Sequence, residues 1–181
     1  MLDGEEKLIM DAIQGEASAF GLIYDHYQPK IYRFIFIKTG RREEAEDLTH
    51  QVFLNAWQNI KSYKFRGFPF SSWLYQIARN QVIDHYRTSK NRSYDIEAIE
   101  EPESNDDPID IKIGQNIEME RVKKAILELK PAHQDIIIMR FVEDLSPKEV
   151  AKALNRPEST IRVLQHRAIK ELQKILEILE N

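Results

Sequence analysis

A chain of 181 residues with 26 basic and 30 acidic side chains, no cysteine, six glycines and seven prolines has room for one ordinary domain or two small ones. Without cysteine there is no disulfide framework, thiolate zinc site, iron–sulfur cluster or cysteine nucleophile. No apolar run approaches the ~18–20 residues of a membrane span, and the acidic start MLDGEEKLIMD lacks the basic and apolar parts of a signal peptide. A soluble, cytoplasmic protein is therefore expected.

The net charge of −4 conceals a segregated pattern, which is more informative than the total. Residues 1–60 carry 6 basic and 10 acidic side chains. Gly15, Pro29, Gly40, Gly67 and Pro69 punctuate the first half of the chain. Within 43–60, Ala45, Leu48, Val52, Ala56 and Ile60 recur every three or four positions, with Phe53 and Trp57 beside them, which predicts an amphipathic helix. Its polar side holds Glu46, Asp47, His50 and Gln51. That charge suits a protein partner better than phosphate, although an ordinary solvated face has the same pattern.

Residues 61–92 carry seven bases against one acid, Asp84. Aromatic Tyr63, Phe65, Phe68, Phe70, Trp73 and Tyr75 interleave with these bases. Aromatic faces stack on unpaired bases while cations track phosphates, so the segment suits strand-separated DNA. The break at Gly67-Phe68-Pro69 predicts a loop leading into a helix from about Phe70, whose apolar face is Phe70, Trp73, Leu74, Ile77, Ala78 and Val82. Phe70, Trp73 and Leu74 are better explained as core. Tyr63, Lys64, Phe65, Arg66, Arg79, Asn80 and Arg87 are left as the candidates for DNA contact.

Residues 88–116 are dominated by Ser, Asn, Asp, Glu and Pro, and 95–110 hold eight acids and no base. Such a stretch buries too little apolar surface to offset its ordering entropy. It reads as an acidic, flexible linker over 91–116 between domains at 1–90 and 117–181. The expected class is all-α: two small helical domains, the second a four-helix, winged-helix-like domain built on a helix-turn-helix.

That motif lies in SPKEVAKALNRPESTIRVLQHR, residues 146–167. Ser146 and Glu149 form an S-x-x-E capping box, Val150, Ala151 and Leu154 are predicted core, and Asn155 tolerates the left-handed turn that ends a helix. Pro157 suits the start of the next helix, which would bury Ile161 and Leu164. Its outer side presents Ser159, Thr160, Arg162, Val163, His166, Arg167 and Lys170. Arginine pairs bidentately with guanine, cations reach phosphates, and Val163 fits a thymine methyl. A plain helical hairpin with a basic face is the blander alternative.

Together, AEDLTHQVFLNAW, FPFSSWLYQIARNQVIDHYR and a helix-turn-helix ending in HRAIKEL resemble the bacterial sigma-70 family of RNA polymerase sigma factors. The likeness is greatest to its short extracytoplasmic-function (group 4) class, which keeps regions 2 and 4 only. The resemblance implies that the helix with Asp47, Leu48 and Gln51 docks on the β′ clamp helices of core RNA polymerase. It implies that loop 61–68 and the helix bearing Asn80 read the −10 element, where a flipped base enters a protein pocket, and that the helix-turn-helix reads the −35 element. An apolar surface around Ile136–Met139 would hold the β flap, and an anti-sigma factor is an expected partner. Ser159, Val163 and Leu164 depart from residues common in the family, which makes Arg162, His166 and Arg167 the chief polar readers.

Two other classes compete. A stand-alone helix-turn-helix regulator explains 146–170 but gives the Asp47 helix and the 61–87 segment no task. An enzyme would need a catalytic constellation. Asp84 and His85 are neighbours pointing about 100° apart on a helix, the five histidines are scattered, and no H-E-x-x-H, P-loop or G-x-S-x-G is present. No metal or cofactor is expected.

Overall fold

The structure, a computed structural model, describes residues 4–64, 69–92 and 117–180. The described residues are helical. In chain order they form α1 (Glu5–Ile13), α2 (Ala17–Thr39), α3 (Arg42–Asn59), a short 3-10 turn (Ile60–Ser62) and α4 (Phe70–Arg92). After the acidic segment come α5 (Ile117–Leu127), α6 (Pro131–Ile137), a π turn (Ile138–Val142), α7 (Pro147–Ala153) and α8 (Glu158–Glu180). The linker expected over 91–116 lies outside the described residues apart from its first two, which belong to the end of α4.

In the first unit, α2, α3 and α4 pack against one another and α1 lies along α2. The apolar residues that set the period of α3 (Ala45, Leu48, Val52, Phe53 and Ala56) are buried, as are Phe70, Leu74, Ala78 and Val82 of α4. Each such side chain removed from water contributes roughly 1.5–3 kcal/mol. The short α1 is fixed by a buried acid: Glu5 accepts a hydrogen bond from the Tyr27 hydroxyl of α2. Burial first, and this bond second, push the Tyr27 phenol far above its ordinary pKa.

Pro29 does not break the chain as its sequence position suggested. It sits inside α2. The missing N–H leaves the Asp25 carbonyl without its usual helical donor, but Asp25 and Pro29 are both on the exposed side, where water can satisfy that carbonyl. Gly40 ends α2 with a left-handed φ of 69°, and its N–H bonds to the Phe36 carbonyl. A side chain there would be strained.

In the second unit, α6 and α8 pack closely, α5 leans on α8, and α7 meets α8 across the expected turn. The capping box is formed: Ser146 N–H donates to Glu149 Oε2 at 2.7 Å, and Glu149 N–H donates to Ser146 Oγ at 3.3 Å. Asn155 takes a φ of 50°, the left-handed geometry that turns the chain from α7 into α8. Val150 and Ala151 of α7 and Ile161 and Ala168 of α8 are buried.

The segment Ile136–Met139 corrects one expectation. It is not an outer apolar surface, because all four side chains are buried. A helix that is apolar all round belongs inside; here it lies between α8 on one side and α2 on the other. The two units consequently share one continuous apolar core.

The capping box yields a direct prediction. Ser146→Ala should lower stability by about 1 kcal/mol, read as a shift in the urea unfolding midpoint followed by helical circular dichroism.

Candidate functional site

The exposed stripe of α8 is set by helical spacing. Ser159, Arg162, Val163, His166, Arg167 and Lys170 are exposed and Thr160 is half-buried, while Ile161 and Ala168 on the opposite side are buried. The residues expected to face a duplex thus share one outward side of a 23-residue helix. Arg162 is held one turn from the helix start by its own Glu158, 2.7 Å from Nη2 to Oε1. Both partners are exposed, so this contact is weak and readily exchanged for another acceptor.

In the first unit the basic–aromatic segment divides. Phe70 and Leu74 are fully buried core. Tyr63 is half-buried and packs its ring on Phe70 and Trp73, with centroids 5.1 and 5.2 Å away. Beside this cluster opens a pocket of about 290 Å³ lined by Ser62, Tyr63, Lys64, Trp73 and Gln76 of the first unit and Lys152 of α7. Its size suits a flat ring. Lys64, Asn80 and Arg87 are exposed. Phe65 and Arg66 lie outside the described residues. Arg87 is 3.2 Å from Asp84 on its own helix.

On the outer side of α3, Asp47 and Gln51 are exposed one turn apart. Leu48, grouped with them on the sequence, points inward and is 5% exposed. Its period in the apolar pattern already placed it in the core; it fixes the helix and leaves Asp47 and Gln51 to meet a partner. Next to them, Phe20, Tyr24, His50, Phe53, Leu54 and Trp57 line a shallow, mostly apolar groove.

The side chains that sequence reasoning missed lie between the units. Asp135 of α6, 2% exposed, accepts from Lys38 of α2 at 2.5 Å and from Arg79 of α4 at 2.7 Å. Eight residues on, Glu143 has its side chain fully buried; it takes Arg33 of α2 bidentately at 2.6 and 2.9 Å and accepts from the Tyr75 hydroxyl of α4 at 2.9 Å. Burial, then Glu143, raise the Tyr75 phenol well above its ordinary pKa. The signal was present. Lys38 and Asp135 are lone charges in apolar runs, IFIKT and DIIIM, and a charge in such a place is buried only when paired. Arg79, a candidate for DNA, is therefore engaged by a carboxylate of the second unit.

The π turn makes this pairing possible. Over eight residues an α-helix turns about 800°, leaving Glu143 roughly 80° off the line of Asp135. The π turn accommodates one residue more per turn, with Glu143 N–H bonding back to the Ile138 carbonyl at 3.0 Å, and returns the two acids to one side. Among the described residues, no group of three or more His, Asp or Glu is placed to hold a metal, and no helix is long and apolar enough to cross a membrane.

Comparison with known proteins locates both units. Residues 23–92 match the family model described as sigma-70 region 2, and residues 125–174 match that of sigma-70 region 4. The chain is 34% identical to the ECF RNA polymerase sigma factor BldN of Streptomyces coelicolor over 94% of its own length, and spans 65% of that relative. It is 30% identical to the RNA polymerase sigma factor YlaC of Bacillus subtilis over 84% of this chain and 88% of the other. The fold is shared with the sigma factor RpoE of Bartonella quintana, solved in complex with the anti-sigma factor NepR, at a TM-score of 0.73 and 21% identity over 88% of this chain and 97% of that one.

The Tyr63 phenol provides a test of the aromatic cluster. Burial, then the charge of Glu5, push it up to about 12 from its ordinary 10.0. The folded state thus keeps a proton that the unfolded state gives up. The associated stability is complete below pH 10 and is lost as pH rises through about 12. Tyr63→Phe should lose less stability than wild type across that window, measured by comparing urea midpoints at neutral and alkaline pH.

Proposed function

Since the chain belongs to the sigma-70 family, as an extracytoplasmic-function RNA polymerase sigma factor, we propose how its surfaces divide the work of bringing core RNA polymerase to promoters. The observation that carries the reading is the order of matches along one chain, region 2 over 23–92 and then region 4 over 125–174.

Asp47 and Gln51 form the core-binding face, meeting the β′ clamp helices, with Leu48 holding their helix in place. A second contact is made by the β flap on the region 4 unit. Tyr63, Lys64, Phe65, Arg66, Arg79, Asn80 and Arg87 act at the −10 element. The cations hold the phosphates of the displaced strand, and the pocket beside Tyr63 and Trp73 takes an unstacked base. Extruding a base costs a few kcal/mol of stacking and pairing, and stacking on an aromatic wall offsets ~1–3 kcal/mol of it. Ser159, Thr160, Arg162, Val163, His166, Arg167 and Lys170 meet the duplex at the −35 element, with α8 in the major groove.

The work is recognition and strand separation, with no catalytic step of its own and no metal or cofactor. It takes place in the bacterial cytoplasm, where core polymerase acts. An anti-sigma factor is a further partner, consistent with the RpoE–NepR complex on the same fold.

The test is transcription by core polymerase on fragmented genomic DNA with and without the protein. Discrete start sites sharing −35 and −10 elements are expected. Tight duplex binding by the protein alone, with no core binding, would instead indicate a stand-alone regulator.

Three substitutions separate the surfaces. Arg162→Ala or Arg167→Ala should weaken promoter binding by ~1–3 kcal/mol where the arginine reads a base, measured by titrating promoter duplex with holoenzyme. Asn80→Ala should slow open-complex formation, followed by permanganate footprinting, while leaving core affinity intact. Asp47→Ala should weaken core binding in a pull-down without changing DNA binding by the helix-turn-helix unit.

A further inference from the structure

We propose that the Ser72 hydroxyl is a specificity-determining group of the pocket beside Tyr63 and Trp73, where it meets the edge of the unstacked base. The role rests on the promoter-recognition reading above and names what tells one base from another there.

Two observations converge. Ser72 is 1% exposed, and among the described residues its Oγ is a buried side-chain atom to which no protein group bonds. Its backbone is provided for, since its N–H donates to the Pro69 carbonyl at 3.1 Å. Buried hydroxyls elsewhere are partnered: Thr49 donates to the Ala45 carbonyl at 2.6 Å, Tyr75 to Glu143 at 2.9 Å, and Tyr27 to Glu5. A helical serine ordinarily turns its hydroxyl to water or to a carbonyl one turn back. One left unbonded inside a protein costs free energy and calls for a reason. Position is the second observation. Ser72 lines the pocket of about 290 Å³, and it is the buried member of a wall in which Ser62 and Lys64 are exposed and Tyr63, Trp73 and Gln76 are half-buried.

The other groups of the pocket bind without choosing. Every base has a face to stack on Tyr63 and Trp73, and a phosphate contact from Lys64 carries no sequence information. Discrimination needs a hydrogen-bonding group at the edge of the ring. The Ser72 hydroxyl is both donor and acceptor, and Gln76, four residues on and so on the same side of α4, lies next to it. A base with a complementary edge gives the hydroxyl its missing partner. A base without one leaves it buried and unbonded. The penalty stored in the free protein thus becomes the difference between the right base and the wrong one.

Ser72→Ala removes one oxygen and is read in two ways. In the free full-length protein, the urea unfolding midpoint should rise above wild type, because the variant loses an unbonded hydroxyl and no bond. A lower midpoint would show that the hydroxyl has a structural partner and would overturn the proposal. In holoenzyme, the probes are single strands of the non-template −10 element from promoters found by the transcription experiment above. Each position carries in turn the four bases or an abasic residue. Wild type should prefer one base at the position that enters the pocket. Ser72→Ala should reduce that preference about tenfold, the worth of one good hydrogen bond, and leave affinity for the abasic strand unchanged. An unaltered preference, or an equal loss on every strand including the abasic one, would count against a base-reading hydroxyl. Wild-type holoenzyme that binds all strands alike would remove the promoter-recognition reading and the proposal with it, a result distinct from a discriminating wild type matched by its variant.

Discussion

A carboxylate cannot lie in a protein interior alone, and Asp135 sets the arrangement of the whole molecule through that constraint. It stands in a run of apolar residues that must be buried, so its charge goes in with them. Lys38 and Arg79, from two helices of the other unit, supply the compensation. Removing one member of such a group is costly because the others are left charged and buried. The relation of α2, α4 and α6 is fixed in this way, and so is the position of α7 at the mouth of the Tyr63–Trp73 pocket.

The segregated charge of the sequence becomes intelligible in this frame. Of the bases in 61–92, Lys64 and Arg87 are exposed while Arg79 is engaged by Asp135; the bases of α8 lie along its outward stripe, and the acids of α3 lie on a third element. The −4 total is the sum of segments of opposite charge. Carboxylate and phosphate are chemically similar acceptors for arginine, and Asp135 of one unit engages Arg79 of the other as a phosphate would.

Much of this was legible in the residues. The spacing of Ala45, Leu48, Val52 and Ala56 placed α3 and its buried side. Ser146, Glu149 and Asn155 set out the helix-turn-helix, because capping and left-handed turns are local chemistry. The outward stripe of α8 followed from helical period alone. What escaped was not local. Leu48 was read both as core and as contact, and burial decides for core. Pro29 was read as a break, but a proline on the wet side of a long, well-packed helix is tolerated. Ile136–Met139 was read as a docking surface because its apolar character was visible while its covering, supplied by α8 and by α2 about a hundred positions earlier, was not. Arg79 looked free for the same reason.

The π turn gives the pairing between the two units an unusual sensitivity. Asp135 and Glu143 share a face only because one additional residue is accommodated between them. Inserting a single alanine within 138–142 would change no charge and remove no partner, yet it would carry the second acid about 100° around the axis. The lock between the units is thus written in the length of a segment as much as in its chemistry. A shift in reading distance, leaving every side chain of the lock intact, would be enough to leave it without its second bolt.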